Sequence, residues 1–398
     1  MTIFLVVGVL AAVVTWLVSL GTLRFALAHG IHPPVRERDV HAKPTPRLGG
    51  VAMFAGVVAA VTAGSFVPQF DPAYAEWPRI VALLCATGFI VVVGVLDDLL
   101  DLDWMVKLGA QLVTAGVVAF FVVRITSIPN PFGGIAVGSQ QMSIVLTVVT
   151  IVLVMNAVNF IDGLDALVAG TTIIGSAAFF AYIWIISNAL GQQEAYFSLA
   201  SLLTAIVVGA CVGFLPLNWH RAKMFMGDAG ALMVGLLTAT AAISVTGQID
   251  LTVVGGRSQL LPAFIPVLLP FAILALPLLD FVLAVVRRLL NGQSPFAADR
   301  KHLHHRLLDM GHTHLGAVLI FYSWTIVVAG GTLLFLFIDE WLAAGIIGVG
   351  FLVCAILTAL PVSRRVWHSA LRLARARSAQ RRARRTPTTD TVDAGERR

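Results

Sequence analysis

Four aspartates fall within seven residues, Asp97, Asp98, Asp101 and Asp103, in the stretch VLDDLLDLDWMVKLGAQ from 95 to 111. On a helix Asp97 and Asp101 share a face one turn apart, with Asp98 beside them and Lys107 and Gln111 on the following turns. Two unit charges ~4 Å apart at an effective dielectric near 20 interact by about 4 kcal/mol, so a cation, a basic cluster or a proton must answer these carboxylates. Paired carboxylates hold magnesium through oxygen ligands or act as a general base. A solvated acidic helix end is the plainer reading, and the position of the cluster at the edge of a long apolar run weighs against it.

Three further stretches carry polar groups in patterns that packing alone does not require. In NAVNFIDGLDAL, 156 to 167, Asn156, Asn159, Asp162 and Asp165 recur every three residues, so a helical end would line them up as a column of oxygen-bearing side chains. Capping a helix needs one such residue, not four. In NWHRAKMFMGDAG, 218 to 230, Asp228 lies between small residues with the Phe225 ring nearby, and a helix N-cap explains it equally well. In DRKHLHHRLLDMGHTH, 299 to 314, His302, His304 and His305 stand among Arg300, Lys301 and Arg306. The surrounding cations oppose a metal there, and a histidine and arginine cradle for phosphate oxygens fits better. Upstream, HAKPTPRLGG at 41 to 50 sets Lys43, Thr45 and Arg47 among prolines, as basic and hydroxyl donors toward a phosphate or a headgroup. Arg36 and Arg38 read as membrane-surface anchors.

The elements that must position these groups are transmembrane helices. Of 398 residues 58% are hydrophobic and 12% are charged, with a mean hydropathy of +0.90. Soluble domains run near 45–50% and about 25%, so a soluble fold is excluded. The expected class is all-α, a polytopic membrane protein whose spans take roughly 20 residues each. Apolar runs mark eleven: 3 to 23, 49 to 67, 78 to 96, 106 to 123, 143 to 158, 166 to 187, 196 to 217, 229 to 246, 260 to 286, 315 to 337 and 340 to 361. Of 27 Lys and Arg, 24 fall in the loops after odd-numbered spans or in the C-terminal tail. That bias puts those loops and the C-terminus in the cytoplasm and the N-terminus outside. All ten histidines and the aspartates above share the cytoplasmic face. Residues 1–362 read as one membrane domain, and 363–398 as a basic cytoplasmic tail, disordered or lying on anionic lipid. Topology already accounts for the basic residues, so nucleic-acid binding is not expected. The three cysteines lie in apolar runs, and neither a disulfide frame nor a thiolate metal site is expected.

An acidic cluster, basic clusters and an aromatic ring on one membrane face suit a diphosphate bridged by a divalent cation, with a lipid partner arriving from the bilayer. The motifs DDLLDLDW, NAVNFIDGLDAL, FMGDAG and DRKHLHHRL, in that order on alternate loops, resemble the polyprenyl-phosphate N-acetylhexosamine-1-phosphate transferase superfamily over residues 36 to 310. PTPRLGG and the His-x-His-His pattern are similar to its bacterial undecaprenyl- or decaprenyl-phosphate N-acetylglucosaminyl-1-phosphate transferase branch. In the phospho-N-acetylmuramoyl-pentapeptide branch Thr-Met usually stands where Arg47 and Leu48 stand here, and the histidines are consecutive.

The resemblance implies a multi-pass protein of the bacterial plasma membrane with its site facing the cytoplasm. It implies transfer of N-acetylglucosamine 1-phosphate from UDP-N-acetylglucosamine to a polyprenyl phosphate, releasing UMP, in the first membrane step of a cell-envelope polysaccharide. Magnesium is the implied cofactor, with manganese as the alternative ion, and a homodimer is left open. By matching position, Asp97 and Asp98 are the acidic pair, Asp97 being favoured as base or positioner of the lipid phosphate. Asp228 is the metal-binding aspartate with Asn159 as co-ligand. Asp162 and Asp165 belong to the loop around the nucleotide, Phe225 lies near the uracil, and His302, His304, His305 and Arg306 form the phosphate-binding loop. Ala166 departs from the pattern, which commonly has glycine there. Asp280, inside span nine, lines the cleft or pairs with Arg287. The pentapeptide transferase is the alternative within the superfamily. An ion-coupled transporter is the alternative outside it, though the ionisable groups sit at span ends on one face, with Asp280 the main exception, and no internal repeat is evident. A CDP-alcohol phosphotransferase is excluded because Leu164 and Asp165 follow Asp162-Gly163.

Overall fold

The computed structural model of the chain describes residues 1–31, 45–129, 135–190, 195–246 and 303–360, with 286, 289 and 290 in isolation. Apolar sequence of this length must satisfy its backbone polar groups internally, and helices do so. They run α1 (Thr2–His29), α2 (Gly49–Gly64), α3 (Asp71–Tyr74), α4 (Trp77–Leu100), α5 (Trp104–Phe121), α6 (Gln140–Ile161), α7 (Leu167–Leu190), α8 (Ala195–Asn218), α9 (Gly227–Val245), α10 (Leu303–Asp309), α11 (His314–Leu334) and α12 (Glu340–Ala359). Among the described residues nine are long and apolar enough to cross a bilayer.

Ten of the eleven expected runs coincide with a helix, and the run at 260–286, with Asp280, lies outside the described residues except for residue 286. The second run differs from expectation. α2 has only 16 residues, and together with the Pro68–Phe70 turn and α3 it forms a pair bent by 100°. Pro68 cannot donate to a continuing helix, and it opens the new direction. Among the described residues the strands are a hairpin of two three-residue pieces, β1 (Ser127–Pro129) and β2 (Ile135–Val137), with Ser127 paired to Val137.

Short polar residues set the helix starts. Ser139 accepts from the Met142 N–H, Thr313 from Gly316 and Asp339 from Trp341 and Leu342, each satisfying first-turn donors that have no helical partner. At the middle of the bundle lies α9, in which every residue except Asp228 is buried. It is apolar all round, as a helix enclosed by others must be, and it packs on α2, α4, α6 and α8. α12, packed on α11, leaves most of its large apolar side chains exposed, as a lipid-facing helix does.

Candidate active site

The site forms where the C-terminal ends of α4 and α6 meet the N-terminal ends of α5 and α9. Its centre is the Lys107 ammonium, one turn into α5. Lys107 Nζ donates to Asp97 Oδ2 at 3.1 Å, to Asn159 Oδ1 at 3.4 Å, and in a shorter contact to Asp228 Oδ2. The Asn159 Nδ2 in turn donates to Asp228 Oδ1 at 2.8 Å. The cation demanded by the acidic cluster is therefore a residue of the same stretch, on the helix that follows the turn. Its place in the cluster could be anticipated only from that charge demand, because its partners lie 10, 52 and 121 residues away.

Asp98 turns the other way, toward the start of α9. Its Oδ2 accepts from the Asp228 backbone N–H at 2.9 Å, and its Oδ1 lies 3.9 Å from Arg47 Nη1. A carboxylate on the first N–H groups of a helix is stabilised by both hydrogen bonding and the helix dipole. Gly227 makes this approach geometrically available. Its φ is +70°, and a Cβ there would fall on Asp98 Oδ2 and the Arg47 carbonyl. The Thr45 to Gly50 segment is tied down alongside. The Phe225 N–H donates to the Pro46 carbonyl at 2.8 Å, Gly49 N–H to Phe225 O at 3.1 Å and Gly50 N–H to Met226 O at 2.9 Å. Two stretches far apart in sequence thus form one floor, which carries the half-buried Thr45, Arg47 and Phe225.

The acidic cluster is divided by the turn between α4 and α5. Asp101 is not on a shared helical face with Asp97. It ends α4 in the left-handed region, φ 54°, its N–H on the Asp97 carbonyl at 2.9 Å. Asp103 is the N-cap of α5, accepting from Met105 N–H at 2.8 Å. Two of the four aspartates therefore shape the chain and two face the site.

The column expected from 156 to 165 also ends early, because α6 stops at Ile161. Asn156 makes a two-way amide pair with Gln111, at 2.6 and 3.3 Å, bracing α6 to α5. Asp162 begins the loop, and burial, with repulsion from Asp228 and Asp165, pushes its carboxyl up to about 7 against the pull of Arg47 and the Gly227 N–H. Asp165 is buried, and its Oδ2 accepts from Ala222 N–H at 3.1 Å with His220 Nδ1 at 3.6 Å. Sequence reading did not single out His220 as a partner, nor Asn218, whose Oδ1 accepts from Ala166 N–H at 2.9 Å.

Arg306 is exposed on α10. Lys43 and His302 lie outside the described residues, as do Arg36, Arg38, Arg287 and the tail from 363. The backbones of His304 and His305 belong to α10, and their side chains lie outside what is described.

Asp97, Asp228 and the Asn159 amide present only oxygen atoms to a cation, the donor chemistry of a hard divalent ion. Among the described residues no three acidic, histidine or cysteine side chains form a cage of their own. The site as a whole can hold a polyanion between carboxylates, an ammonium and a helix N-terminus.

A profile described as glycosyl transferase family 4 matches residues 80–246, the stretch from α4 to α9 that carries these groups. The chain is 37% identical to decaprenyl-phosphate N-acetylglucosaminephosphotransferase of Mycolicibacterium smegmatis, over 90% of its own length and 88% of that protein's. It is 36% identical to the protein of the same name from Mycobacterium leprae, over 90% of both chains. It is 33% identical to a probable undecaprenyl-phosphate N-acetylglucosaminyl 1-phosphate transferase of Bacillus subtilis, over 78% and 81%.

Proposed function

The chain belongs to glycosyl transferase family 4, and on that premise we propose that it transfers N-acetylglucosamine 1-phosphate from UDP-N-acetylglucosamine to a polyprenyl phosphate. A phosphate oxygen of the lipid forms a bond to the β-phosphorus of the nucleotide sugar. The bond from that phosphorus to the bridging oxygen breaks, and UMP leaves with the electron pair. The observation that carries this reading is the convergence of Asp97, Asn159 and Asp228 on the Lys107 ammonium at one end of the helix bundle.

Each residue then takes a part that follows from its charge and position. Lys107 answers negative charge as two phosphates are brought together, a role worth most where water is excluded. Asp97, 3.1 Å from that ammonium, positions the lipid phosphate or takes its proton. Asp228 and Asn159 would hold a magnesium ion; manganese has the same donor preference. The ion, when bound, neutralises charge on the phosphoryl oxygens. Asp162 and Asp165 surround the nucleotide, with Phe225 toward the base. Lys43, Thr45 and Arg47, and the segment of His302, His304, His305 and Arg306, supply donors to phosphate oxygens.

The proposed setting is the plasma membrane of a bacterium, with eleven spans, the N-terminus outside, and the site and basic tail in the cytoplasm. Residues 1–362 form the transferase domain. The test is a membrane assay with radiolabelled UDP-N-acetylglucosamine, polyprenyl phosphate and magnesium, following UMP release and label entering the lipid phase, for the wild type and Asp228→Ala. Transfer that disappears in the variant supports the reading. Use of UDP-N-acetylmuramoyl-pentapeptide alone moves the chain to another branch, and no transfer from either donor overturns the proposal.

A further inference from the structure

Ala166 has φ +63°, in the left-handed region that L-residues with a side chain avoid. Among the described residues the other non-glycine there is Asp101, an exposed helix cap. Ala166 by contrast is buried, and it directly follows Asp165. A strained conformation persists when its surroundings over-determine it, and here both sides of the residue are held. Its N–H donates to Asn218 Oδ1 at 2.9 Å, and Asn218 is itself fixed through Nδ2 to the Met224 carbonyl at 3.1 Å. Its carbonyl accepts from the Tyr322 hydroxyl at 2.5 Å and from Gly170 N–H at 3.0 Å. Tyr322 is on α11, 156 residues further along the chain, and reaches Ala166 by passing over α7. Position 170 has to be glycine for this reach, because a Cβ there would coincide with the Tyr322 hydroxyl.

The φ of Ala166 sets the direction in which the chain leaves Asp165 and enters α7. Relaxing it would swing the 162–165 loop away from the position in which Asp165 meets Ala222 and His220. We propose that Tyr322 and Asn218 are positioning residues that clamp Ala166 in the left-handed conformation and so hold Asp162 and Asp165 in place for the nucleotide. The proposal rests on the reading above that this loop surrounds the nucleotide.

The experiment uses the purified full-length protein with UDP-N-acetylglucosamine, polyprenyl phosphate and magnesium. Tyr322→Phe keeps the ring and loses only the hydroxyl. The KM for the nucleotide sugar is expected to rise about fivefold, the scale of one lost hydrogen bond, with kcat and the KM for the lipid changed by less than about twofold. A role in stability alone would lower active enzyme without this split. In an Ala166→Gly background the same Tyr322→Phe change should raise that KM by less than about twofold, because glycine adopts the left-handed region unaided. An unchanged KM in Tyr322→Phe, or an equal rise in both backgrounds, overturns the clamp. Asp165→Asn separates the two levels. If it raises the nucleotide-sugar KM while Tyr322→Phe does not, the clamp fails and the nucleotide loop stands. If neither variant moves that KM, both fail.

Discussion

Replacing Lys107 with methionine removes the ammonium on which Asp97, Asn159 and Asp228 converge while keeping the length of the side chain. Because both carboxylates contact one nitrogen, their oxygens lie within about 5 Å of each other, and at an effective dielectric near 20 two such charges repel by at least about 3 kcal/mol. The side chains of Lys107, Asp97 and Asp228 are 20, 15 and 24% exposed, so water screens part of that repulsion. Halving it for solvent leaves about 1.5 kcal/mol, roughly tenfold in a binding constant. A divalent cation relieves the same repulsion. Magnesium alone, titrated calorimetrically into detergent-solubilised protein without nucleotide, is therefore expected to bind Lys107→Met about tenfold more tightly than wild type. Lys107→Arg, which keeps the charge, should stay near the wild-type affinity. Unchanged or weaker magnesium binding in Lys107→Met would refute the reasoning, since it would mean that ammonium and metal do not compete for the same oxygens.

The raised pKa of Asp162 makes a signed prediction for stability. A folded-state value near 7 against 3.8 unfolded means a contribution fully present below pH 3.8 and lost as pH rises toward 7. Asp162→Asn in magnesium-free buffer should therefore raise the thermal midpoint at pH 8 and leave it unchanged at pH 4, and a gain of equal size at both would contradict the assignment. Gly227→Ala meets both a left-handed φ, worth about 1–2 kcal/mol, and a Cβ placed on Asp98 and Arg47; a lower thermal midpoint and at least roughly tenfold loss of transfer are expected. The Gln111 and Asn156 amides should behave as a unit. In thermal unfolding of Gln111→Leu, Asn156→Leu and the double variant, the double should be milder than the sum by about 1 kcal/mol, within the range for polar pairs between membrane helices.

The sequence by itself determined the class of the protein and which residues were candidates for its site. Long uncharged runs in a chain with 12% charged residues leave helices in a bilayer as the available solution, and ten of the eleven runs are helices here. Residue type and spacing singled out Asp97, Asp98 and Asn159 as candidates, because carboxylates and amides at a membrane boundary are costly unless they are used, whereas Asp228, equally well explained as a helix N-cap, was marked by the family resemblance. Tertiary structure alone decided which of these polar residues meet. Local spacing suggested one acidic face and one four-residue column, yet Asp101 and Asp103 became caps at a turn and Asn156 turned to brace Gln111. Lys107, Arg47, His220 and Tyr322 could not be placed from spacing, since each joins a partner on a separate helix or loop. The reason is physical. Hydropathy fixes where helices run, whereas the contacts at their ends depend on which helices pack together and where each backbone turns, and those are set by close approaches such as Gly227 at Asp98.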